Sequence, residues 1–168
     1  MTTVFVYQPE LWHDYFVMVG GGAAALTGLV FVAMSLNLAV IAQDATHRFR
    51  AIGTLTGFMS VFVACALGLM GAQTHRSLGV EWLLVGAAAF AVYVVGYVLA
   101  IRQGGSPEGL YVSRLVLGTS FYVVELGGAV ALLLGYAAGL YLATAAMIAL
   151  LAWGVTGAWL LLVGVHQQ

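Results

Sequence analysis

The chain contains no lysine, and only 7% of its 168 residues are charged. A soluble domain of this length carries about a quarter charged residues, so a water-exposed globular surface is excluded. The basic residues are five arginines, Arg48, Arg50, Arg76, Arg102 and Arg114, and the net charge is −1. That leaves no basic footprint for a nucleic-acid partner. There are two prolines, Pro9 and Pro107, and both fall outside the long apolar runs. The single cysteine, Cys65, cannot form an intrachain disulfide. In its apolar run it reads as a small buried hydrophobe. Enzyme signatures are missing too: there is no membrane-protease pair of aspartates, no HExxH and no GxSxG. Gly20-Gly21-Gly22 is embedded in an apolar run without a following lysine, which excludes a phosphate loop. Neither catalysis nor a cofactor is expected.

Apolar length dominates what is there. Hydrophobic residues make up 63% of the chain, and the mean hydropathy is +1.06. Crossing a hydrocarbon core of about 30 Å takes about 20 helical residues. Five stretches reach that length: Tyr15 to Ala42, Ile52 to Ala72, Trp82 to Ile101, Val112 to Leu134 and Leu140 to Val165. They lack the period-two pattern of barrel strands, and in lipid the backbone must satisfy itself, so they are read as helices. The expected fold is an all-α polytopic membrane protein, a single transmembrane domain over residues 1–168 with short loops. The last two spans, separated by Gly135 to Gly139, form a tight antiparallel hairpin. Residues 1–14 hold no lysine or arginine, and the run that follows is too long for a signal-peptide core, so it is read as a first span.

Local signals refine this picture. Pro9-Glu10 suits a helix start, with Trp12, Tyr15 and Phe16 as an interfacial aromatic anchor. Ser106-Pro107-Glu108 reads as N-cap, N1 proline and first-turn acid for the fourth span. Arg48, Arg50, Arg102 and Arg114 fall on one side of the membrane and Arg76 on the other, which predicts an outside N-terminus and a cytoplasmic C-terminus. There is no internal repeat, and five spans do not divide into equal halves, which disfavours an inverted-repeat transporter.

One carboxylate, Glu125, lies inside a span, near mid-membrane. Placing a charged residue at that depth costs roughly 2.5–3.5 kcal/mol on insertion scales. Such a residue faces other helices or a water-filled cavity. It shares a helix face with Gly118, Tyr122, Gly128 and Ala129. Arg114 is eleven residues earlier, about 16 Å along the axis and too far for a direct pair. Its expected partners are on other helices, with Tyr93 and Ser60 nearest mid-membrane. A protonated carboxyl donating to a hydroxyl or a backbone carbonyl satisfies such a site. Asn37, the second intramembrane polar group, is expected to hydrogen-bond a neighbouring helix.

Small residues at helical spacing mark close-approach faces. Gly20, Ala24 and Gly28 form such a stripe on span one; Gly53, Gly57 and Gly68 on span two; Gly118 and Gly128 on span four. They serve packing within the bundle or an oligomer interface. The triplet Gly20-Gly21-Gly22 suggests a kink in span one. His13, His47, His75 and His166 all fall near span ends without metal-ligand spacing, so solvated interfacial histidines are expected and no metal.

The run Val19 to Asn37, VGGGAAALTGLVFVAMSLN, resembles the first span of small bacterial multi-span membrane proteins that have no settled role. The resemblance implies a bacterial cytoplasmic membrane protein and carries over no activity. The leading functional expectation is a homo-oligomeric channel, or a proton or cation conductor, using Glu125. The alternative is a structural or regulatory subunit that binds another membrane protein. The third is a small proton-coupled transporter. The lipid bilayer is the common partner of all three.

Overall fold

The computed structural model describes residues 9–43, 45–103 and 109–165. Among them every regular element is helical. A single 3-10 turn, Pro9–Trp12, leads into α1 (His13–Leu36), followed by a short α2 (Leu38–Gln43). Four long helices follow: α3 (Ala45–Gly68), α4 (His75–Arg102), α5 (Gly109–Leu133) and α6 (Ala137–Val165). Five of these, all but α2, are long and apolar enough to cross a membrane. The chain is thus a multi-pass, all-helical membrane protein, as its hydropathy implied.

Helix ends depart from span ends in an orderly way. α3 and α4 start about two turns before their apolar stretches. Their first residues, such as Thr46 to Arg50 and His75-Arg76, are polar yet helical. Hydropathy marks the depth of lipid, whereas the helix continues until a cap stops it. At α4 that cap is Thr74, whose hydroxyl accepts from the Ser77 amide at 3.1 Å while Ser77 Oγ accepts from the Thr74 amide at 2.9 Å. This reciprocal box satisfies two otherwise orphaned donors. The proposed cap at Ser106 to Glu108 falls outside the described residues.

The triple glycine does not interrupt α1, which runs unbroken to Leu36. The interruption comes instead at Asn37. Its amide nitrogen donates to Met34 O at 3.1 Å, and its side-chain Nδ2 donates to Ala33 O at 2.9 Å. Asn37 thus bonds its own helix rather than a neighbour, as asparagine does where its side chain competes with the ladder.

The hairpin between α5 and α6 turns on Leu134-Gly135-Tyr136. Tyr136 N donates to Ala131 O at 2.9 Å and Gly135 N to Leu132 O at 2.9 Å. These are the two bonds of a Schellman stop, with Gly135 supplying the left-handed residue at φ 87°.

The register of neighbours is antiparallel throughout the sequential pairs. A Cβ on Gly20 would meet Cys65 Cβ at 2.9 Å, so α1 lies close on α3. Trp82 Nε1 donates to Ala64 O at 2.9 Å, tying α4 to α3. A Cβ on Gly79 would meet the Leu133 backbone at 2.8 Å, joining α4 and α5. One on Gly128 would meet Ala143 N at 2.5 Å, joining α5 and α6. α3 also packs against α6, where Gly154 lies under the Phe58 ring. α3 is therefore the central helix, and α1 is peripheral. α1 rests mainly on α3, with Tyr15 Oη donating to Thr144 O of α6 at 2.8 Å.

The core centres on Phe16, Val61, Cys65, Leu78, Trp82, Tyr122, Leu132 and Met147, all buried. Of the aromatic residues at the start of α1, Trp12 and Tyr15 are half-buried against the core. Phe16 is fully buried and stacks edge-on against Trp82 at 5.9 Å.

Candidate functional site

Two polar features interrupt this apolar bundle. The first is Glu125, which is 1% exposed. It faces Gly86 on α4, where a Cβ would stand 3.8 Å from the carboxyl carbon and 3.1 Å from Leu126 Cδ2. The Tyr15 and Tyr122 hydroxyls and the Cys65 thiol lie within electrostatic reach of the carboxyl. Its Oε2 is buried and meets no hydrogen-bond partner among the described residues.

The expected partners of Glu125 are engaged elsewhere. Tyr93 Oη donates to Arg114 O at 3.0 Å. Ser60 Oγ donates to Gly57 O of its own helix at 2.8 Å. A helical hydroxyl finds a carbonyl three or four residues back at almost no entropic cost, and that local bond wins over a distant carboxyl. Tyr122 does sit with Glu125, one turn away, and its ring packs on Phe90 at 5.7 Å and on Tyr93 at 5.5 Å. Tyr15 reaches this region from the peripheral helix, where α1 packs on α3 and its hydroxyl is tied to α6.

The second feature is a cavity of about 180 Å³ between α3, α4, α5 and α6. Thr46, Arg50, Ala100 and Ile101 line it toward the end where α3 begins and α4 finishes, near Arg48 and Arg102. Arg48 Nη2 donates to Gln103 Oε1 at 3.2 Å across that end. Deeper in, Gly53, Gly57, Tyr93, Tyr122 and Leu150 close the cavity. Arg114 also lines it, its guanidinium 5.0 Å from the centre of the Trp153 ring. The space exists because glycines face it. A Cβ on Gly53 would have only Tyr93 Cδ2 at 3.7 Å, and one on Gly57 only Tyr122 Oη at 3.4 Å. Tyr122 links the two features, lining the cavity while lying one turn from Glu125. Nothing in the sequence marked the cavity, because it arises from glycines of one helix facing tyrosines of two others.

The small-residue stripes divide by what they face. Gly20, Gly68, Gly118 and Gly128 pack within the bundle, against Cys65, Phe16, Tyr93 and the α6 backbone respectively. Gly53 and Gly57 border the cavity. Ala24 and Gly28 are exposed, and a Cβ on Gly28 would meet nothing within 4 Å. On α1 the outward face carries Gly21, Ala25 and Gly28 among the exposed side chains of Met18, Leu29 and Val32, with Gly22 and Ala24 at its edges.

Among the described residues no group of three or more His, Cys, Asp or Glu is placed to hold a metal. At the end opposite the cavity, Gln73 Nε2 donates to Glu81 Oε2 at 2.8 Å, next to the α4 cap. Compared with protein families, with curated proteins and with solved structures, the chain finds no match.

Proposed function

We propose that this protein is a membrane-embedded structural or regulatory subunit that docks a helix of another membrane protein against the outward face of α1. The observation that carries this reading is the division of α1 into two faces. Phe16, Val19, Gly20, Ala23, Val30 and Met34 are buried in the bundle. On the opposite side Gly21, Ala25 and Gly28 are exposed at mid-helix. Lipid chains gain nothing from glycine, whereas a helix gains close backbone approach from small residues spaced four and three apart on one face. The hydroxyls of this helix are already used: Thr27 Oγ1 donates to Ala23 O at 2.7 Å and Ser35 Oγ to Phe31 O at 2.8 Å. Docking there is by packing. The connections α3–α4 and α5–α6 are short, so recognition falls within the bilayer. The arginine distribution favours a cytoplasmic position for the cavity end.

The channel reading depends on a carboxylate facing a ring axis, and Glu125 faces the interior of its own protomer. A conducting path would instead follow the cavity up to Tyr122 and pass Glu125. Liposome flux across several pH values separates the two readings. Flux in wild type that is lost in Glu125→Gln favours conduction, and its absence in wild type favours the subunit.

The docking face is tested by the size of the native complex extracted from its own membrane. Gly28→Leu is expected to release the free chain. Gly127→Leu, at an equally open glycine on α5, leaves the complex intact. Equal behaviour of the two variants rejects α1 as the interface, and a wild-type complex of twice the chain's mass assigns the face to self-association.

A further inference from the structure

We infer that the cavity between α3, α4, α5 and α6 is a binding site for a small organic monoanion, a carboxylate joined to a ring-sized apolar body. This stands independently of the docking reading, since α1 does not line the cavity. Three observations point to it.

The first is charge. Arg50 and Arg114 line the cavity from two different helices, and none of its described lining residues is acidic. The guanidinium fork matches a carboxylate in a bidentate fashion. The second is shape. The space is about 180 Å³, and an apolar protein cavity of about 150 Å³ already accepts benzene. A six-membered ring with one carboxylate matches that volume.

The third is the order of the walls. Arg50 lies toward the end where α3 begins, and Tyr93, Tyr122 and Leu150 lie nearer the middle of their helices. A ligand whose ring packs on these aromatic and aliphatic walls leaves its charge toward the arginines. A singly charged group suits this better than a dianion, whose desolvation in a largely apolar cavity costs more. Trp153 lines the same cavity and holds Arg114 against its ring, so occupancy should change the indole environment.

The experiment titrates benzoate, benzyl alcohol and inorganic phosphate into the full chain in lipid nanodiscs, followed by tryptophan fluorescence and by calorimetry. Benzoate is expected to bind saturably, and benzyl alcohol and phosphate each to bind about tenfold more weakly or worse. Arg50→Gln should weaken benzoate about tenfold. Gly53→Leu keeps both arginines but fills the cavity beside Tyr93, and should abolish binding. The benzoate-induced fluorescence change should vanish in Trp153→Phe while calorimetric binding persists. Benzyl alcohol binding as well as benzoate would overturn the charge assignment. Phosphate binding as well would overturn the apolar body. Benzoate failing to saturate wild type, or binding Gly53→Leu undiminished, would overturn the site itself.

Discussion

Two adjacent glycines on α5 should respond oppositely to the same methyl group. A Cβ on Gly128 would stand 2.5 Å from Ala143 N, 2.8 Å from Gly139 O and 2.9 Å from Ala143 Cα. All three are backbone atoms, so no rotamer change relieves the clash, and α5 and α6 must move apart. A radial gap of 0.5–1 Å forfeits about a quarter to a half of each dispersion contact. Overpacking of this kind costs typically about 1–3 kcal/mol. Against it stands a gain of about 1 kcal/mol from replacing glycine by alanine within a helix. With three backbone atoms involved, the upper end of the overpacking range applies, and Gly128→Ala should lose about 1–2 kcal/mol net. Gly127 has nothing within 4 Å of its Cβ position, so Gly127→Ala keeps the propensity gain and should be neutral or stabilising by up to about 1 kcal/mol. The assay is reversible unfolding in mixed micelles by SDS titration, with tryptophan fluorescence as the probe. A midpoint for Gly128→Ala at or above that of Gly127→Ala would refute the tight α5–α6 seam.

The same unfolding assay checks two further expectations. Trp82→Phe removes the buried donor to Ala64 O and leaves a void between α3 and α4, which should cost about 2–3 kcal/mol; an unchanged midpoint would show that this bond does not hold the helices together. Glu125→Met replaces a buried carboxyl, one oxygen of which has no hydrogen-bond partner, with an apolar side chain of similar length. It should stabilise the fold by about 1–3 kcal/mol, and a destabilised variant would mean that the carboxyl is satisfied and holds helices together.

The all-helical fold and the number of spans were legible in the sequence because lipid demands long runs of self-satisfied apolar helix, and the chain has five. The hairpin was legible for a similar reason, since Gly135 to Gly139 is too short for anything but a turn. Which helix is central was not legible. Apolar residues surround each span on all sides, so no amphipathic face points to the core, and the position of α3 follows from the pairwise fit of small residues to large ones. Gly20 and Gly28 look equivalent in one dimension, yet one meets Cys65 and the other meets nothing. Glu125 was identifiable as the buried carboxyl. Its surroundings were not, because Ser60 satisfies its hydroxyl on its own helix and Tyr93 reaches across to the Arg114 carbonyl. The interruption of the first span at Asn37 rather than at the glycine triplet has a like cause. Glycine in lipid has no water to bond and stays helical, whereas asparagine brings its own amide to compete with the ladder.

The outward face of α1 decides whether this protein docks a partner helix. A photo-crosslinking residue placed in turn at every position from Gly20 to Leu29, and at Gly127 and Val130 on α5 as lipid-facing controls, tests it directly in native membranes. Discrete protein adducts should appear at Gly21, Ala25 and Gly28, fade at Gly20 and Ala23, and be missing from both α5 controls. Adducts spread evenly around α1, or none at Gly21, Ala25 and Gly28, would contradict it.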